Sequence, residues 1–174
     1  MARTLNLLPM SAEQKRTTAS VRAASHGDVA ACVEIVRALP DFFTDDVPEK
    51  VRKDLAKHSG WVVAEADAVV GFAVVARRAP RAAEILWAAV VRDRRFRRLG
   101  TRLIEHVLER LRTEGVDLVE VKTLDPSAGY APYVATHAFW AARGFVQLDT
   151  IDPLPGWPAG NPAAILAAAL APTR

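Results

Sequence analysis

The sequence predicts a single α/β domain, a mixed central sheet flanked by helices. Its 174 residues suffice for one buried core and would be crowded for two. The hydrophobic period switches repeatedly between about 3.6 residues, which marks helices, and two residues, which marks strands. A hairpin pattern in mid-chain adds antiparallel pairs to strands otherwise separated by helices, so the strand directions must be mixed.

Residues 1–20 show no sustained period and read as a mobile leader, with the domain over 21–174. Val21–Ala24 is the first strand. Ser25 and Asp28 then form a capping-box pattern that opens a helix, whose one face carries Val29, Cys32, Val33, Val36 and Leu39 until Pro40 stops it. A second helix begins at Asp46 with Pro48 in its first turn and repeats Val47, Val51 and Leu55 until Gly60. Trp61–Ala64 and Val69–Val75 flank a polar turn and form the hairpin.

The next strand runs from Glu84 to Val91 and leads into the most amphipathic helix, marked by Leu99, Leu103, Val107, Leu108 and Leu111 and ended near Gly115. Val116–Lys122 alternates as a strand. After a loop through Pro126, Gly129 and Pro132, Val134–Arg143 reads as a helix closed by Gly144, followed by the strand Phe145–Leu148. Pro153–Pro162 must be loop, and the alanine-rich Ala163–Leu170 has helical propensity.

Composition narrows the function. The lone Cys32 cannot form an internal disulfide or a cysteine metal cluster, and it reads as core packing. No segment has the length and apolarity of a membrane span or a signal-peptide core, so a cytoplasmic protein without a membrane partner is expected. The net charge of +3 is modest, but Arg92, Arg94, Arg95, Arg97, Arg98 and Arg102 fall close together and call for an anion or open solvent. Nucleic acid is the weaker candidate, because no array of stacking aromatics accompanies the arginines.

A strand, a basic turn and a helix N-terminus in succession make a phosphate site. The first-turn amides lack helical partners, the helix dipole is positive there, and arginines add charge. In this segment, Arg95-Phe96-Arg97-Arg98-Leu99-Gly100 resembles the acyl-CoA motif of the GNAT superfamily, (Arg or Gln)-x-x-Gly-x-(Gly or Ala). Arg95 and Gly100 match its ends, and Arg98 stands where the middle glycine would be. Tyr133 to Trp140 followed by Gly144-Phe145 is similar to the family's second signature, in family order and at family spacing.

The resemblance covers about residues 21–170 and implies an N-acetyltransferase that uses acetyl-CoA and no metal. It implies that backbone amides from Phe96 through Arg97, Arg98, Leu99 and Gly100 to Thr101 hold the pyrophosphate, and that Ala89, Val90 and Val91 pair with the pantetheine arm. It also implies that Ala164–Leu170 is the last strand of the sheet, against the propensity reading, and that a homodimer is one assembly to expect. The partner would be a small-molecule or peptide amine. A degenerate domain that binds acyl-CoA without turnover is the alternative.

Acetyl transfer needs a neutral amine, and free alkylamines have a pKa near ~10.4, so a base is expected. Ala83-Glu84-Ile85 resembles the stretch that holds the base glutamate in the histone-acetylating branch. Glu84 is equally readable as a strand-end carboxylate paired with Arg77 or Arg81. The family's hydroxyl donor to the departing thiolate corresponds to Trp140 here, whose indole N–H is no practical acid. Tyr133 is then a catalytic candidate, with Tyr130 and His137 as further ones, and it is also a candidate cofactor contact, as Trp140 is. The acceptor wall implied by the family is Asp41-Phe42-Phe43-Thr44-Asp45-Asp46, where carboxylates beside aromatics suit a cationic amine, although Asp46 also suits a helix N-cap.

Overall fold

Alternation and amphipathicity place the elements where the sequence suggests, and the computed structural model describes residues 19–95 and 97–170. In chain order these are β1 (Ser20–Ala23), α1 (Val29–Arg37), α2 (Val47–Lys57), β2 (Ser59–Glu65), β3 (Ala68–Ala79), β4 (Ala82–Val90), α3 (Leu99–Thr113), β5 (Leu118–Leu124), α4 (Ala131–Ala141), β6 (Val146–Ile151) and β7 (Ala163–Ala169). Ala19 is buried in the core and Ser20 already pairs in β1, so both belong to the folded unit rather than to a leader; residues 1–18 lie outside the described residues.

The strands form one sheet in the order β1-β2-β3-β4-β5-β7-β6, antiparallel except for β4 and β5. Alternate residues feed two cores. Val63, Ala73, Ile85, Val119 and Leu166 pack with Leu103, Val107 and Leu111 of α3 and with Trp140 of α4. Val62, Phe72 and Val74 pack on the other face with Cys32 and Val36 of α1 and Val51 of α2. Burial, and then the nearby Asp28, push the Cys32 thiol up to about 12, which makes it an inert packing group.

The sequence reading shifts at several ends. Val116 is not strand: its N–H bonds to the Leu111 carbonyl at 3.0 Å, and with Gly115 at φ +77° it closes α3 before β5 begins. Helix α4 starts earlier than expected because Pro132 suits a first turn. The Ala163–Ala169 segment is a strand, paired on one side with β5 and on the other with β6. Ala164, Leu166 and Ala168 of this strand are buried in the core under α3 and α4, a tertiary contact that local helix propensity cannot register.

The Ser25–Asp28 signal opens a short 3-10 turn, His26–Asp28, that runs into α1. Asp28 accepts from the Ser25 N–H and from the Arg22 guanidinium, each at 2.7 Å. The Arg22 hydrogen bonds, helped by Ser25 and opposed by burial, hold its carboxyl well below the usual carboxylate range. Asp28→Asn should therefore destabilise by about 2 kcal/mol at neutral pH, the scale of a charge-assisted hydrogen bond. A carboxyl with a lowered folded-state pKa contributes fully above its unfolded value, near ~3.9, and loses that contribution as pH falls below it. Denaturant titrations of both proteins should converge as pH falls below about 4.

Two departures from regular pairing shape the sheet. Val74 opposes Trp87 while Val75 opposes Ile85, so Leu86 is an extra residue, a β-bulge in β4. Directly beside it the parallel pairing stops: Ala82–Ile85 pair with Leu118–Val121, and Leu86–Val90 have no partner on β5. The sheet is split from that point on.

Candidate active site

The split opens a cleft of about 1040 Å3. Its walls are β4 and β5, the first turn of α3, the face of α4, the α1–α2 segment and the loop between β6 and β7. A strand that loses its neighbour leaves a row of backbone donors and acceptors open on that edge, ready to take an extended ligand.

At one end lies the N-terminus of α3. Its first turn carries no side-chain cap among the described residues, and its hydrogen-bonding ladder begins with the Arg102 N–H on the Arg98 carbonyl at 2.9 Å. Arg98 sits at φ 60°, ψ 14°, the left-handed conformation that glycine adopts without steric cost. The backbone there takes the shape a glycine would give, at a cost of about 1 kcal/mol for the side chain. Gly100 is helical, and a Cβ on it would stand 3.4 Å from Phe139 and 3.6 Å from Val90, so its smallness keeps the cleft floor close to the backbone.

The arginine cluster divides by partner. Arg92 is held by Asp41 at 2.6 Å, Arg94 by Glu65 at 2.8 Å, and Arg102 donates to the Ala19 carbonyl. Arg95, Arg97 and Arg98 have no carboxylate partner among the described residues. Arg95 stacks over Phe42, 4.4 Å from the ring centre. Burial, and then the charge of Arg92, draw the Arg95 guanidinium below its ordinary value, so an anion beside it would relieve a strained cation. Arg143 approaches the same turn from just past the end of α4 and contacts the Thr101 hydroxyl.

Of the residues singled out in the sequence, Glu84, Ala89, Val90, Arg95, Arg98, Leu99, Gly100, Thr101, Tyr133 and Trp140 all line the cleft. Arg97 is exposed outside it. Val91 is outside too, because its N–H is spent on the Val70 carbonyl at 2.9 Å and faces β3. Phe96 lies outside the described residues.

Glu84 is 5% exposed, and both its oxygens are occupied. Arg78 donates to one at 2.6 Å and Lys122 to the other at 2.8 Å. The expected partners Arg77 and Arg81 instead bind Glu114 and Asp117. Side-chain parity explains the difference: Glu84 opposes Ala76 on β3 and Glu120 on β5, so Arg78 and Lys122, each two residues on, share its face of the sheet. Burial works to lower the pKa of the Lys122 ammonium, but its hydrogen bonds to Glu120 and Glu84 outweigh burial and raise it.

Tyr133 donates its hydroxyl hydrogen to the Phe42 carbonyl at 2.5 Å, and burial pushes the phenol up to about 12. Trp140 is a core residue at the cleft floor, packed edge-on against Phe139 and Phe145 with ring centres 5.2 and 5.1 Å away. The α1–α2 carboxylates do not face the cleft as free charges. Asp41 is taken by Arg92, and Asp46 binds Lys50 and the Thr44 hydroxyl rather than capping α2. Sequence reasoning missed Trp157, which reaches the cleft from the β6–β7 loop; a lone large aromatic among prolines and glycines was the available signal.

The sequence pattern of the Acetyltransferase (GNAT) family matches residues 23–145, most of the chain. This chain belongs to that family. The GNAT fold appears in solved structures at low sequence identity. The ribosomal-protein-S18-alanine N-acetyltransferase of Escherichia coli superimposes with a TM-score of 0.73 at 17% identity, covering 90% of this chain and 97% of that one. The aminoglycoside 6'-N-acetyltransferase of Enterococcus faecium gives 0.68 at 17% identity, with coverages of 89% and 99%. A GNAT acetyltransferase of Elizabethkingia anophelis, solved with acetyl-CoA bound, gives 0.66 at 16% identity, with coverages of 90% and 100%. At such identities the likeness is one of fold. No individually curated protein matches this GNAT chain in sequence.

Proposed function

We propose that the protein transfers the acetyl group of acetyl-CoA to a primary amine. One observation supports this above the rest: the sheet opens between β4 and β5 beside a helix N-terminus that, among the described residues, has no side-chain cap and is flanked by Arg95 and Arg98 without carboxylate partners. The first-turn amides of α3 and these arginines fit the phosphates of CoA. The free edge of β4 around Ala89 and Val90 fits its pantetheine arm. When bound, acetyl-CoA supplies a thioester carbon, onto which the amine nitrogen forms a C–N bond as the C–S bond breaks and the thiol takes up a proton.

The protein's own groups then position and deprotonate. Glu84 reaches the cleft at the point where the strands part and is the carboxylate placed to take a proton from the amine, provided Arg78 or Lys122 yields one oxygen. Tyr133 keeps its proton and serves best as a hydrogen-bond donor, since a phenol near 12 is a weaker acid than a thiol near ~8.5. The buried thiol of Cys32 and the use of CoA agree with a cytoplasmic setting.

The occupied oxygens of Glu84 and the hydroxyl-free Trp140 favour a second reading, an acyl-CoA-binding domain with little turnover. CoA should stabilise the fold under both readings. At a hundredfold excess over Kd the gain is about 2.7 kcal/mol, roughly 5–10 °C in melting temperature for a domain of this size. Absence of any shift at millimolar CoA would remove both readings, and release of free thiol with an amine present separates the first from the second.

A further inference from the structure

The charges around the cleft constrain the acceptor. Among the described residues that line it, only Asp41 and Glu84 are acidic, against Lys50, Arg94, Arg95, Arg98 and Lys122. Both carboxylates already hold arginine or lysine. A polycation entering here would meet like charge and find no free carboxylate among the described lining residues, which costs affinity at each additional ammonium. The remaining wall on the α1–α2 side is apolar and aromatic. Phe43 packs edge-on with Trp87 at 6.4 Å, Trp87 is fixed by its N–H on Asp54 at 2.7 Å, and Leu86 is turned to the same side by the bulge. Trp157 is half-buried, lines the cleft and belongs to neither core cluster of the described residues, so a large aromatic there is available to a ligand.

We infer that the acceptor is a small primary amine with one positive charge and an apolar, ring-bearing body, held between the Phe43–Trp87 wall and Trp157. Such a molecule loses its single charge on the way to the neutral nucleophile and then needs no acidic pocket. Its body is stabilised by burial against aromatic faces. The inference rests on the acetyl-transfer reading above and adds the substrate class to it.

The test is a thiol-release assay with acetyl-CoA and 2-phenylethylamine, spermine or kanamycin as acceptor, beside a calorimetric titration of CoA on the same preparation. We expect kcat/KM for 2-phenylethylamine to exceed that for spermine and kanamycin at least tenfold. Trp157→Ala should raise the KM for 2-phenylethylamine about tenfold with CoA affinity as in the unaltered protein, and Trp157→Phe should restore most of the loss. CoA binding with spermine or kanamycin turned over as well as 2-phenylethylamine, or with no amine turned over, overturns the inference. An unchanged KM in Trp157→Ala overturns the role of that loop. Failure to bind CoA removes the acetyl-transfer reading itself, and the acceptor inference with it.

Discussion

Glu84→Gln is expected to lower turnover about 10²-fold at neutral pH and to leave CoA affinity nearly unchanged, with part of the activity returning at high pH. Glutamine keeps the shape of the side chain but cannot take a proton at this pH. An alkylamine near pKa ~10.4 gains neutral fraction about tenfold per pH unit, so solvent replaces the missing base as pH rises. A loss that stays constant across pH would mean that Glu84 acts through geometry, by holding Arg78 and Lys122 in place. Full activity across pH would make it an ion-paired carboxylate with no part in the reaction. Initial rates over pH 6–10 with saturating acetyl-CoA decide among these results.

Arg95→Ala should weaken CoA about 10- to 100-fold and pantetheine hardly at all, because a charge-assisted hydrogen bond contributes about 1.5–3 kcal/mol and only CoA carries phosphate. Arg95→Lys should recover only part of the affinity. The lysine keeps the charge but loses the flat stack on Phe42 that aims the guanidinium. Calorimetric titration of both ligands reads the effect, and equal weakening of CoA and pantetheine would remove the phosphate role of Arg95.

Periodicity made the element order legible, and the turn before α3 was legible from charge and spacing. The unreadable parts depend on distant neighbours. Whether an arginine is free or paired was hidden, since Arg94 finds Glu65 29 residues away and Arg92 finds Asp41 51 residues away. The partners of Glu84 depend on which strand residues share a face, and Arg77 looks as near in sequence as Arg78 until the register is known. The bulge at Leu86 has no local signature. At the C-terminus, alanines that favour a helix alone become a strand because β5 and β6 supply the hydrogen bonds on both sides.

The split sheet also has a mechanical side. Strands β1 to β4 form one half and β5, β7 and β6 the other, joined within the sheet by the short run Ala82–Ile85 against Leu118–Val121. The Arg78–Glu84–Lys122 bridge spans β3, β4 and β5 near the open end of that run. It works as a rivet at the tip of a seam, and the side chain proposed for proton transfer is also one that ties the two halves together.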